Sequence, residues 1–277
     1  MFSTGHLVWI AISLALIVGG LTAIRHRKPA LEQVLMACLI VGAASEVVKV
    51  FSVTSILPTV SPVIVQGETG AVLDYVVSGQ YTPYMKMEHL PLELCSLMIV
   101  FLAAALLLKD KVWRERLLTL MYITGLIGGT MGILLAYITS EFHTVAEYFA
   151  APRVWQYFLY HAMVVMLGIY LGFVRRNDIS LKSLKTTLIL LVAMDAPTFY
   201  LNSVLSEPVY VGDTPVGVLY RTNFFSSYVN PLGLVLTKKW QWLAYLGIRA
   251  VLATMLISLL LWLAGAVQRK RKAADKE

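Results

Sequence analysis

Charge is scarce in this chain. Only 14 % of the 277 residues are Asp, Glu, Lys or Arg, and 58 % are hydrophobic. A water-soluble fold is excluded by that balance, because apolar runs recur along the whole length and stretches of about 20 such residues cross a bilayer as helix. Cysteine is scarcer still. Cys38 and Cys95 both fall in predicted helices, so no extracellular disulfide framework is visible. No His/Asp/Glu cluster has metal-ligand spacing, and neither metal nor cofactor is implied. No internal repeat and no separate soluble domain are seen. Nothing basic precedes the first apolar run, His6 to Ile24; the charge follows it, as Arg25-His26-Arg27-Lys28. A signal peptide has the reverse order and a small-residue cleavage site, so this run reads as a retained helix. The net charge of +7 does not mean nucleic acid, because the basic residues sit in short clusters at the ends of hydrophobic segments.

What is present is an all-α polytopic membrane bundle within one integral membrane domain, residues 1–277. Seven transmembrane helices are predicted near 6–24, 31–53, 90–108, 116–138, 154–174, 184–205 and 240–266, followed by a basic tail, 267–277. Sixteen of the twenty-three Lys and Arg lie in the three odd-numbered connections and the tail; five lie on the opposite side and two, Lys49 and Arg249, within helices. The positive-inside rule then puts the N-terminus outside and the C-terminus in the cytoplasm. The outer connections, 54–89 and 206–239, are long and carry Pro58, Pro62, Gly67, Gly70, Pro208 and Gly212. They are too mixed to span. Long connections of this kind are lids or binding loops, or else plain exposed loops.

A helix rises about 1.5 Å per residue, so position converts to depth. Cys95 falls roughly 8 Å inside the outer end of helix 3, and His161 roughly 10 Å inside the outer end of helix 5. Glu46 and Lys49 on helix 2, Asp195, Thr198 and Asn202 on helix 6, and Arg249 on helix 7 also fall in the middle or outer half. Charges in hydrocarbon are costly and face a partner or a wet cavity, so a polar pocket open to the outer leaflet is expected. Each group has a plainer reading. Glu46 and Lys49 are three apart and can pair with each other, and Asp195 and Arg249 can hold helices 6 and 7 together. Pro197 can loosen its helix. Gly125, Gly128, Gly129 and Gly132 form overlapping small-xxx-small spacings that let a neighbouring helix approach, with no catalytic role.

A membrane cysteine alone is usually a small buried hydrophobe. A mid-helix histidine is rarer and marks either function or an interhelical hydrogen bond. Matched depth raises the two together, because a thiol beside an imidazole is the minimal activated nucleophile. Tyr157 shares the face of His161. Glu93, read as first-turn helix together with Pro91, points about 200° away from Cys95 and is not expected to orient the same imidazole.

HLPLELC followed by an apolar helix resembles the LPLxxC signature of the bacterial YwaF-like integral membrane family, related to animal transmembrane protein 164. FSTGHLVW, GGTMGILLAYITSEF, QYFLYHAMVVMLGIYL and RTNFFSSYVNP match its other segments in order and spacing. The resemblance covers most of the chain and implies a multi-pass protein of the bacterial plasma membrane. It implies a lipid acyltransferase, since the animal relative is regarded as remodelling ether phospholipids through a cysteine and a histidine; more distant relatives hydrolyse lipid esters. The carried-over residues are Cys95, His161 and Asn223. The position two before the cysteine, often His in the family, is Glu93 here, and residues 206–220 look like an insertion before the Asn segment.

The leading expectation is therefore acyl transfer or ester hydrolysis on a phospholipid or lysophospholipid in the outer half of the membrane. Cys95 and His161 are the catalytic pair, with Tyr157, Asn202, Asn223, Glu46 and Asp195 lining the substrate site. The alternative is an ion-coupled transporter or channel-like protein using Glu46, Lys49, Asp195 and Arg249. Oligomeric state is not encoded in any of these features.

Overall fold

The computed structural model describes residues 3–67, 70–136, 142–175, 177–211, 214–219, 221–226 and 235–275. It is a helical membrane bundle. The helices are α1 (Thr4–Arg27), α2 (Leu31–Val53), α3 (Leu94–Leu107), α4 (Lys111–Leu134), the short α5 (Val145–Ala150), α6 (Pro152–Ile169), α7 (Leu184–Val204) and α8 (Lys239–Ala274). Among the described residues, six helical segments are long and apolar enough to cross a membrane, and α3 is a shorter apolar helix. Large apolar side chains face outward over much of the bundle, among them Val18, Phe51, Val192, Tyr200 and Met255. A belt of that size would be an interaction surface on a soluble protein; here it is the surface for lipid tails.

The bundle is centred on α6, two-thirds of whose apolar window is buried. Its close partner is α4. A Cβ at Gly125 would lie 2.9 Å from the Val164 carbonyl oxygen, so the two backbones approach to a distance only glycine permits. Leu118, Met121, Tyr122, Val164 and Leu167 close the core between them, with Leu35, Met98 and Leu102 from α2 and α3. A second cluster joins α1 to α6: Trp9 stacks on Phe158 and meets Trp155 edge-on.

Two features depart from the sequence reading. The connections after α2 and α7 are β-hairpins at one end of the bundle. Strand β1 (Ser55–Gly67) pairs antiparallel with β2 (Gly70–Tyr84), and β3 (Glu207–Val211) with β4 (Thr214–Leu219). The prolines that pointed to plain loop are tolerated because a two-stranded ribbon is all edge, and the β1–β2 register shifts between Pro58 and Val60. Helix α3 begins at Leu94, not near residue 90. Its 14 residues make about 21 Å, short of the ~30 Å hydrocarbon thickness. Its other end sits beside the start of α4, where Arg114 Nε donates to the Ala105 carbonyl at 2.9 Å. The N-terminus of α3 is therefore recessed inside the bundle. The chain reaches it through a 3₁₀ turn, Met87–His89, and an extended Glu93 (φ −78°, ψ 153°).

Candidate active site

The recessed start of α3 decides the local chemistry. Leu94, Cys95 and Ser96 occupy its first turn, and the first intrahelical bond runs from the Leu97 N–H to the Glu93 carbonyl at 2.9 Å. The first N–H groups of any helix have no acceptor in the helix itself, and no side chain caps this one. Ser96 turns its backbone N–H and hydroxyl toward the Cys95 sulfur. The thiol thus sits among the donors of the first turn, at the positive end of a helix. On the other side, Tyr160 of α6 donates its hydroxyl to the Cys95 carbonyl at 2.5 Å, which ties the start of α3 to the middle of α6.

His161 is 5 % exposed and held on three sides. Its Nδ1 lies 2.7 Å from the Tyr157 carbonyl. A carbonyl only accepts, so Nδ1 carries the hydrogen and the neutral ring leaves its lone pair on Nε2. Among the described residues, Nε2 has no hydrogen-bond partner. The Tyr157 ring lies against the imidazole, centroids 4.2 Å apart, and Tyr160 meets it edge-on at 5.7 Å. Gly132 forms the third wall: a Cβ there would come within 2.5 Å of Nε2. The Gly132 carbonyl accepts the Tyr157 hydroxyl at 3.0 Å, and the next carbonyl, Ile133, lies 2.9 Å from Nε2 of the fully buried His6. Sequence reasoning gave Gly132 a packing role only and gave His6 none. FSTGHLVW and GGTMGILL carried the signal, a buried imidazole and a run of small residues whose meeting depends on tertiary contact.

Cys95 and His161 share one region of the bundle. Leu94 faces Gly128 of α4, and His161 faces Gly132, one turn or about 6 Å further along the same helix. The thiol lies within electrostatic reach of Tyr157 and Tyr160, the two rings that flank the imidazole. Among the described residues no hydrogen bond joins the thiol to His161. Catalytic hydrogen bonds are often long in empty sites and tighten with substrate.

Glu93 changes place relative to expectation. It precedes the helix, so the 100° per residue rotation does not apply to it. Its carboxylate acts electrostatically on both Cys95 and Tyr157, and it accepts the backbone N–H of Phe225. Phe225 has left-handed backbone angles (φ 57°, ψ 17°) in the turn Phe224–Ser226. That turn is clamped from behind. Asn202 of α7 accepts from the Phe224 N–H at 2.9 Å and the Thr222 hydroxyl at 3.0 Å, and donates to the Phe224 carbonyl at 3.1 Å. Arg249 of α8 donates to the Phe225 carbonyl at 2.8 Å and is ion-paired with Asp195. Asn223 lies half-buried within this strap, directly after hairpin β3–β4, which occupies the stretch that read as an insertion.

The remaining predicted residues form a second polar group beside the same helix start. Glu46 is 2.5 Å from the buried Lys49. Gln156 donates to Ser45 at 2.7 Å, linking α2 to α6. Arg153 lies 5.8 Å over the Tyr157 ring. Glu46 is thus paired with the cation that sequence spacing had offered, and Asp195 with the one offered from the neighbouring helix. Among the described residues, no group of three or more His, Cys, Asp or Glu is arranged to hold a metal.

Residues 1–262 match the model of the TMEM164 family. No curated protein and no solved structure matches the chain.

Proposed function

We propose that this chain, which belongs to the TMEM164 family, is a lipid acyltransferase or lipid-ester hydrolase of a bacterial plasma membrane, working through Cys95 and His161. The observation that carries the reading is a thiol in the first turn of a recessed helix whose Leu94 faces Gly128 of α4, with a buried imidazole facing Gly132 one turn along that same helix and its free lone pair on Nε2. With the basic connections in the cytoplasm, the hairpin end faces outward and the site draws substrate from the outer leaflet.

In this reading Nε2 of His161 takes the thiol proton, and the Cys95 sulfur attacks the ester carbonyl. The carbonyl oxygen, negative in the tetrahedral state, is received by N–H groups at the uncapped helix start, Leu94 and Cys95, while Ser96 holds the sulfur. The alcohol leaves with the proton from His161, and a thioester remains on Cys95. A lysolipid hydroxyl then gives its proton to Nε2 and attacks the thioester; the new ester departs and the thiol is reprotonated. Water in place of the lysolipid makes the same site a lipase. Tyr157 and Asn202 act by holding His161 and the strap; Asn223, Glu46 and Asp195 line or brace the approach of the substrate.

The test is transfer of a labelled acyl chain from a phospholipid to a lysophospholipid by the purified protein, compared with Cys95→Ala and His161→Ala. Label moved or released by the parent protein and lost in both variants is the expected result. Activity that survives Cys95→Ala removes the thioester, and no turnover of any lipid pair rejects the reading.

A further inference from the structure

At the end of the bundle away from Cys95, a cavity of about 640 Å³ opens between α1, the end of α6 and α8. Four basic residues line it: Arg25, Lys28, Arg175 and Arg271. The local backbone explains why the space exists. After Ile169 the chain widens into a π-turn, Tyr170–Val174, closed by the Arg175 N–H on the Tyr170 carbonyl at 2.8 Å. Such turns frequently mark functional sites. The carbonyls it loosens are taken up by α8: Gln268 donates to those of Gly172 (3.3 Å) and Arg175 (2.9 Å), and Arg271 to that of Val174 (2.8 Å).

The cations are unevenly neutralised. Glu115 holds Arg175 through both carboxylate oxygens, at 2.5 and 3.1 Å. Arg25 and Lys28 have no ion-pair or hydrogen-bond partner from their side chains among the described residues. Arg271 spends one donor on Val174 of the five a guanidinium carries. Tyr170 also lines the cavity; it is 6 % exposed, and its hydroxyl has no partner among the described residues. The unpartnered hydroxyl of a nearly buried tyrosine and converging cations suit an anion with several acceptor oxygens.

We propose that this cavity binds a phosphate group, that of an anionic phospholipid headgroup at the membrane surface. Basic pockets between transmembrane helices at this level suit such headgroups, and Val174 gives the cavity an apolar wall beside the outward-facing side chains of α1 on which an acyl chain can lie. The site is independent of the acyl-transfer reading.

The test uses the full chain in detergent, with phosphatidylglycerol, phosphatidylcholine of the same acyl chains, and inorganic phosphate as separate probes, and native mass spectrometry as readout. The double variant Arg25→Gln/Lys28→Gln changes two exposed side chains, and its thermal melting without lipid checks the fold. Phosphatidylglycerol retained over phosphatidylcholine by the parent protein, with retention about tenfold lower in the double variant and lower in Tyr170→Phe, is the expected outcome. Stabilisation by inorganic phosphate alone, absent from the double variant and with no preference between the lipids, keeps the phosphate site and rejects the lipid as its source. Equal retention of phosphatidylglycerol by parent and double variant overturns the proposal.

Discussion

Gly132 of α4 and His161 of α6 occupy one space: a side chain at 132 would bring its Cβ within 2.5 Å of Nε2. The imidazole fits because the glycine has nothing there, and its free nitrogen faces the glycine backbone. Gly132→Ala must move the ring or part the helices. Overpacking of this kind costs about 1–3 kcal/mol. The expected result is lower thermal stability and loss of acyl-chain release, with Gly19→Ala, whose added Cβ meets nothing within 4 Å, as the control that keeps both.

The two thiols differ in access. Cys38 is 3 % exposed within the core between α2 and its neighbours, whereas Cys95 is half-buried at the helix start. A small membrane-permeant maleimide is expected to modify Cys95 in the folded protein and Cys38 only after denaturation. Peptide mapping by mass spectrometry reads the difference, and modification of Cys38 first would contradict the placement of α3.

Tyr160 fixes the start of that helix through its 2.5 Å bond to the Cys95 carbonyl. Tyr160→Phe keeps the ring and removes the bond, at a cost of about 1 kcal/mol. The maleimide rate at Cys95 is expected to change, while that of denatured protein stays the same. An unchanged folded-state rate would mean that the tyrosine packs without positioning the thiol.

Glu93, Phe225, Arg249 and Asp195 form one chain of contacts, from the N–H of Phe225 to Glu93 and from its carbonyl to the Arg249–Asp195 pair. Arg249→Ala leaves Asp195 without its partner. The pair is a little over a quarter exposed on each side, so the loss falls below the ~3–5 kcal/mol of a fully buried pair and is on the order of 2 kcal/mol. Glu93→Ala acts on the same strap from its other side. A double-mutant cycle in thermal or denaturant unfolding is therefore expected to show coupling of about 0.5–3 kcal/mol; additive losses would separate the strap from Glu93.

The membrane class and the seven apolar helices are legible from the chain alone, although α3 is shorter than a span and only the other six reach spanning length. They rest on local quantities: runs of apolar residues, their length, and where a polar group interrupts them. The ion pairs Glu46–Lys49 and Asp195–Arg249 were also within reach, since charges in hydrocarbon have few possible partners. The hairpins were not, because alternating β-branched residues broken by prolines look the same in a strand ribbon as in a loop.

The start of α3 marks the boundary between the two kinds of information. Leu90, Leu92 and Leu94 continue the apolar pattern without a break, so composition runs the helix outward past Glu93. Only the contacts stop it at Leu94: Tyr160 on the Cys95 carbonyl, Phe225 on the Glu93 carboxylate, and the extended backbone between. Those partners come from 65 and about 130 residues away, and no local pattern contains them. The sequence by itself determined that a membrane bundle carries a thiol in one apolar helix and an imidazole in another. The tertiary structure alone decided that the thiol stands at an open helix end, that Glu93 turns toward it, and that Gly132 leaves room for the imidazole, because each depends on which backbones are close enough to touch.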